Sequence, residues 1–269
     1  MVLPKRSSLS KAKNWPAVLE YAESIRDGSK IACEELRQAV SRFFRDLDNP
    51  DYEMDPKAPE FCIGIIEKTL CHQQGERLDG TPLRGTPFLL EPFHKFIVYN
   101  LVGFKLAGTN TVRFHEALIF IPRKNIKTSF AAALAWALSL WYRRSGAKTY
   151  IAAAALMQTL ESFNFLDYNV KRMGEDRKDG GHIHVIDNNN EHSMEADLGD
   201  GSFYIRALAA NPDAQDSLNC NIAICDEIHA FKQPKQYNLF KEAMKAYTNK
   251  LLIGISTAGD NEQAFLGPR

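Results

Sequence analysis

The sequence has no surplus of charge: 33 Lys and Arg stand against 33 Asp and Glu. That excludes a wholly basic nucleic-acid coat, although a neutral chain can still carry a basic groove. Apolar residues are not scarce, at 45%, so the low-hydrophobicity, high-charge signature of a disordered chain is missing. The five cysteines (Cys33, Cys62, Cys71, Cys220, Cys225) are an odd number with no CxxC pair, which points to free thiols in a reducing cytoplasm. Met1–Lys13 holds no apolar run of the kind a signal peptide needs. The apolar stretch nearest to membrane size, Phe130–Trp141, is about 12 residues, where a bilayer-spanning helix takes about 20. The expectation is a soluble, intracellular protein with no membrane partner. No internal repeat is visible, and no low-complexity tract beyond Asn188–Asn190. A chain of 269 residues allows one large domain or two small ones.

What is present changes character along the chain. Pro4, Lys5, Arg6, Lys11 and Lys13 make a basic, Ser-rich start with no acid before Glu20, which reads as a disordered leader or a nucleic-acid-touching arm. Asn14 is placed to cap a helix with Pro16 in its first turn, running to about Asp27. Leu36, Val40, Phe43, Phe44 and Leu47 recur at helical spacing over Cys33–Leu47. Ala58–His72 and Glu91–Leu106 read as two more helices, separated by a Gly- and Pro-rich loop over Gln73–Pro87. Then strands begin. Ala117–Ile121, Thr149–Ala153, Asn221–Cys225 and Leu251–Ile255 are continuous apolar runs, and Ser202–Ala207 alternates as a strand does. Helices Thr128–Tyr142 and Met157–Met173 lie between them, with Trp136 and Trp141 as core residues. Gly174–Gly201 reads as a mobile loop with short edge strands at His182–Ile186 and Ser193–Ala196, either a DNA-gripping loop or a plain surface insertion. Strand–helix alternation with strands apolar on both faces predicts an α/β fold, a mostly parallel sheet flanked by helices. A helical accessory region over 1–87 would precede a core over 88–269.

The first strand runs into Pro122–Lys127 and then a helix, the context a phosphate-binding loop requires, because loop amides and the helix N-terminus face an anion. Lys127 would reach the β/γ-phosphates of ATP, and Thr128 would offer its hydroxyl to Mg²⁺. The usual GxxxxGK[ST] is not met: Ile121 and Ile126 stand at the two glycine positions. A second piece follows. The strand over Ile222–Cys225 ends in Asp226 and Glu227, where one carboxylate can hold Mg²⁺ and its neighbour can orient and activate water. A third is Ser256-Thr257-Ala258-Gly259 at the end of the last strand, small hydroxyl residues suited to sensing the γ-phosphate. Together these predict a P-loop NTPase of the RecA-like, additional-catalytic-glutamate (ASCE) type. Mg-ATP would sit on the backbone from Arg123 through Lys124, Asn125, Ile126 and Lys127 to Ser129.

PRKNIKTS, ICDEIHAF and GISTAG, in that order, resemble the ATPase of the large terminase subunit of tailed double-stranded DNA bacteriophages. Phe88–Gly103 resembles the family's adenine-side segment, with Phe93-His94 where Trp-Gln is usual, and Asp216–Asn219 resembles a further family segment. The resemblance covers roughly Phe88–Phe265. It implies a motor that hydrolyses ATP with Mg²⁺ to drive double-stranded DNA into a procapsid. The implied partners are a homo-oligomeric ring, a pentamer on the portal, together with the portal protein and the small terminase subunit, in the host cytoplasm. It assigns Lys127 and Thr128 to the phosphate loop, Asp226 to magnesium and Glu227 to catalysis. Ser256–Gly259 become the coupling motif, and Arg123 a γ-phosphate contact. Family members carry an RNase H-like nuclease domain after the ATPase. The chain ends ten residues after Gly259, so a fragment without nuclease activity is expected.

Two other classes fit parts of the pattern. DEIH with STAG also suits a DExH-box helicase fragment, which would need a second RecA-like domain. Ile126 in the loop also suits a non-hydrolysing nucleotide-binding assembly module. His182, His184 and Asp187 lack the partner a zinc site needs. His229 reads as a link between the acids and a neighbouring motif. Arg143, Arg144, Arg172, Arg177 and Arg206 are candidates for a trans-acting finger.

Overall fold

A computed structural model describes residues 9–122, 125–209, 218–231 and 233–257. The chain folds into two compact units that interleave along the sequence: residues 1–67 with 89–114, and residues 68–88 with 115–269.

The first unit is helical. Its helices are α1 (Trp15–Arg26), α2 (Glu34–Asp48), α3 (Lys57–Thr69) and α4 (Pro92–Gly103). A short antiparallel pair joins them, β1 (Tyr52–Met54) with β2 (Phe104–Leu106). The helix expected to reach Leu106 therefore stops at Gly103. A Cβ on Gly103 would stand 2.5 Å from the Met54 sulfur, so only glycine lets β1 cross there. Asn14 does not cap α1 with its side chain. Its side-chain amide instead donates to Glu60 (2.8 Å) and accepts from Lys95 (2.9 Å). Tyr99 completes that network with a 2.5 Å bond to Glu60.

The second unit holds β3 (Glu116–Phe120), α5 (Lys127–Tyr142), β4 (Ala147–Ala153), α6 (Leu156–Met173), β5 (His184–Asp187), β6 (His192–Asp197), β7 (Ser202–Ala209), β8 (Ile222–Asp226), α7 (Pro234–Ala243) and β9 (Leu251–Ser256). One sheet has the order β3-β9-β8-β4-β7-β6-β5. Its first five strands are parallel, and β6 and β5 are added antiparallel. The strands at the middle are buried on both faces, as their apolar runs require: every residue of β8 and β9 is buried. Odd residues of β4 face α5, where Ser139 and Thr149 share a 2.6 Å hydroxyl bond. Even residues face α7, where Tyr150, Ala152, Ala223 and Cys225 pack with Tyr237 and Phe240.

Three details of the sequence reading are refined. The run Ala117–Ile121 is not buried throughout, because β3 is an edge strand paired, among the described residues, only with β9, and Leu118 and Phe120 are 51% and 55% exposed. The two short edge strands expected within Gly174–Gly201 are present and pair as a hairpin over residues 184–197, in which Asn188 closes a tight turn by accepting from the amides of Asn190 and Glu191. And α7 follows Phe231 where no helix was expected; its apolar Tyr237 and Phe240 are buried at helical spacing, with Met244 buried just past its end.

Candidate functional site

Three neighbouring parallel strands, β3, β9 and β8, end at the same edge of the sheet. Each delivers one of the motifs. The Ile121 amide donates to the Ser256 carbonyl (3.0 Å), which ties the end of β3 to the end of β9. Asn125 then donates back to the Pro122 carbonyl (3.3 Å), and α5 begins at Lys127. Its first turn carries no acidic residue, so its free amides and the helix dipole leave that end electropositive.

Ile126 adopts the left-handed region, with φ 46° and ψ 27°. This is the second glycine position of the usual loop, and the reason for glycine there is now visible as a backbone requirement. An L-residue pays about 1–2 kcal/mol for it. The second non-glycine residue with positive φ among those described is Glu227, at φ 52° and ψ 46°. Both strained residues thus lie at this one site, where such backbone strain tends to collect.

The four residues expected at the centre converge. Lys127 is buried and donates to Glu227 Oε1 at 2.5 Å. Thr128 donates through Oγ1 to Asp226 Oδ2 at 2.9 Å, and the Glu227 amide donates to Asp226 Oδ1 at 2.9 Å. Asp226 is 2% exposed. Burial pushes its carboxyl above the ordinary carboxylate range, and the nearby Glu227 adds to this; the Thr128 bond and the Lys127 charge oppose the shift without cancelling it. A carboxylate and a hydroxyl oxygen side by side are a donor set that a hard divalent cation fits, and a bound cation would offset the cost of burying the charge.

Ser256, fully buried at the end of β9, is the other hub. Its hydroxyl donates to the Thr257 carbonyl (2.9 Å) and accepts from the His229 backbone amide (3.3 Å). His229 Nδ1 lies 2.9 Å from Ser256 Oγ and 3.0 Å from Glu227 Oε2. The acid pair and the strand-end hydroxyl are therefore linked through His229, as its position in DEIH suggests. Gly254 permits this approach: a Cβ there would meet Ile228 Cδ1 at 2.8 Å and Leu118 Cδ2 at 2.9 Å.

Ser129 is half-buried in the first turn of α5. Arg123, Lys124, Ala258 and Gly259, together with Asp216 and Ser217 of the further family segment, lie outside the described residues. Phe93 and His94 belong to the first compact unit. His94 is buried, its Nδ1 accepts from the Glu91 amide (3.3 Å), and burial lowers its pKa to about 4, so it is neutral. Of the finger candidates, Arg143 is held by Asp200 through two bonds (2.8 and 2.6 Å), and Arg172 donates to the Thr69 carbonyl (2.6 Å). His182 pairs with Glu175, His184 with Glu195 and His192 with Asp187. One contact had no sequence signal: Ser162 of α6 reaches the Thr128 carbonyl at 3.4 Å.

Known proteins share parts of this architecture. The family model described as "Terminase large subunit, ATPase domain" matches residues 92–268. The crystal structure of the HK97 bacteriophage large terminase superposes with a TM-score of 0.56 at 22% identity, over 77% of this chain and 39% of that one. The Thermus phage P74-26 large terminase ATPase domain gives 0.41 at 17% identity, over 57% of this chain and 63% of that one. The large terminase of a thermophilic bacteriophage in complex with ADP gives 0.40 at 11% identity, over 52% and 33%. The chain thus spans about two fifths of the HK97 protein's length. Curated proteins give no match.

Proposed function

The chain belongs to the terminase large-subunit ATPase domain family, and from that premise we propose that it is the ATPase motor of a viral DNA-packaging machine, hydrolysing Mg-ATP to move double-stranded DNA into a procapsid. The observation that carries the reading is the convergence of Lys127 on Glu227 (2.5 Å) and of Thr128 on Asp226 (2.9 Å) at the ends of neighbouring strands. In chain order the motor core is residues 88–269, with a helical accessory region over 1–87.

In this reading the amides from Arg123 to Ser129 and the Lys127 ammonium bind the phosphates. Thr128 Oγ1 and Asp226 hold Mg²⁺, which when bound offsets phosphate charge as it develops. Glu227 accepts a hydrogen bond from water and turns its oxygen toward the γ-phosphorus for in-line attack. Arg123 contacts the γ-phosphate. Ser256 and Thr257, continuing into Ala258 and Gly259, sense its departure and pass the change to neighbouring elements. Phe93 packs on the adenine side with His94, a neutral donor or acceptor. The working form is a homo-oligomeric ring, a pentamer on the portal in the host cytoplasm, with the small terminase subunit as a further partner. A neighbour's arginine then completes each site. Arg177 and Arg206 fit that role better than Arg143 and Arg144, which pair with Asp200, and Arg172, which donates to the Thr69 carbonyl.

Glu227→Gln tests the reading. The variant is expected to bind an ATP analogue with wild-type affinity and to lose hydrolysis by about 10²-fold or more, the scale of a positioned general base. Wild-type turnover in Glu227→Gln would refute the motor. Strand separation of a forked duplex would instead favour a helicase.

A further inference from the structure

The Glu227 carboxylate is approached from two sides by different parts of the chain, and its two oxygens differ: Oε1 is hydrogen-bonded, while Oε2 is buried with no hydrogen-bond partner among the described residues. Lys127, at the start of α5, holds Oε1 at 2.5 Å. His229, two residues further on in the turn after β8, stands 3.0 Å from Oε2. The two residues differ in what else they do. Lys127 has a second claim on it in the reading above, the phosphate chain. An ammonium that turns toward phosphates weakens its grip on Oε1. His229 has no such claim, and it is pinned. Ser256 Oγ gives its hydrogen to the Thr257 carbonyl (2.9 Å), so it meets the imidazole as an acceptor. The hydrogen between Ser256 Oγ and His229 therefore sits on Nδ1, the nitrogen that also faces Glu227 Oε2. The His229 backbone amide donates to the same hydroxyl at 3.3 Å, so the residue is fixed by main chain and side chain together.

We propose that His229 is the positioning residue for Glu227: braced on Ser256, it keeps the carboxylate aimed when Lys127 leaves it for nucleotide. The proposal rests on Glu227 being the carboxylate that orients water. It also gives Ser256 a concrete role, as the point through which β9 sets the angle of that carboxylate. A displacement of β9 would be read at Oε2 without any contact between β9 and the nucleotide.

The test is single-turnover ATP hydrolysis with enzyme in excess, beside the affinity for a non-hydrolysable ATP analogue. His229→Ala is expected to slow hydrolysis by about 10- to 100-fold, the cost of a misplaced catalytic group, with analogue affinity within twofold of wild type. His229→Asn, whose amide N–H can stand where Nδ1–H stands, is expected to recover most of the rate. His229→Gln, which reaches past that position, is expected to stay slow. Combined with Ser256→Ala, the alanine variant should be no slower than the worse single variant, since the two act through one contact. Unchanged rate in His229→Ala, equal rates for Asn and Gln, a fall in analogue affinity that matches the fall in rate, or additive effects with Ser256 would each overturn the proposal. If the alanine variant does not fold, the Asn and Gln pair still decides it. Glu227→Gln separates the two levels: full turnover there sinks the motor reading itself, whereas a dead Glu227→Gln with an active His229→Ala sinks only the role of His229.

Discussion

Replacing Asp226 by asparagine is expected to make the metal-free protein more stable while making it useless as an enzyme. The carboxylate is 2% exposed and accepts from Thr128 Oγ1 and from the Glu227 amide, both at 2.9 Å. Asparagine keeps both bonds. Its Oδ1 takes the Glu227 amide, and its Nδ2 donates to the Thr128 hydroxyl, which can turn to accept. What disappears is a buried charge whose desolvation outweighs the help it receives from Thr128 and Lys127. Removing such a charge without losing its hydrogen bonds is worth about 1 to 2 kcal/mol. That corresponds to a rise in Tm of about 2 to 8 °C for a chain of this size. The pH dependence has a definite sign. The folded carboxyl binds its proton more tightly than the unfolded one, so its favourable contribution is full below the ordinary carboxylate range and is lost as pH rises through the folded value. Asparagine has nothing to lose. Its advantage should be absent in acid and grow toward neutral pH. Differential scanning calorimetry in EDTA at two pH values measures this. A variant melting below wild type at neutral pH, or an advantage larger in acid, refutes the account of Asp226 as a charge held at a cost. With Mg²⁺ and an ATP analogue the order should reverse, because only the wild type gains binding energy from the cation.

Three further outcomes follow from the packing. Asn169→Leu should cost about 2–3 kcal/mol in urea denaturation, because it orphans the Cys71 amide and carbonyl that Asn169 satisfies at 2.7 and 3.1 Å. Gly254→Ala should lower stability by about 1–3 kcal/mol and slow hydrolysis as well, since the new methyl presses on Ile228, the residue between Glu227 and His229. Ile126→Gly should relieve about 1–2 kcal/mol of left-handed strain, less about 0.5–1 kcal/mol for glycine's freedom in the unfolded chain. A small gain in urea midpoint and tighter binding of an ATP analogue are expected, and weaker binding would refute the reading of the loop.

The parts of the fold that could be read in advance are those where one physical demand dominates. A strand buried on both faces must be apolar throughout, so β4, β8 and β9 announced themselves. The same rule misled at β3, because an edge strand carries apolar residues whose cover is not written into its own pattern. The short β1 and β2 escaped because three residues show no period, and the Gly103 that ends α4 is explained only by Met54 across from it. The convergence of Lys127, Thr128, Asp226 and Glu227 was legible because the chemistry proposed for them calls for a lysine, a hydroxyl and two acids at strand ends. What could not be read was conformation. Ile126 looked like a departure from a pattern; it is a bulky residue holding the backbone shape that glycine usually supplies. Ser162 was invisible for a different reason, since its bond to the Thr128 carbonyl depends on how α6 packs beside α5.

The strand order has a bearing on how the protein comes into being. Among the described residues, β8 and β9 are the strands of the sheet synthesised latest, yet they occupy its middle, between β3 and β4. While the ribosome is still making them, β3 lacks its partner, because among the described residues its one ladder runs to β9, from Glu116–Leu252 to Phe120–Ser256. Pairings between such distant segments are slow to close, and the unpaired edges they leave are open to aggregation. The nascent chain thus carries the lysine and hydroxyl of the loop long before the acids exist to face them. Completion of the sheet and assembly of the site become one event, so a chain released early is not a weak enzyme but one with no centre, a natural substrate for a chaperone or a protease.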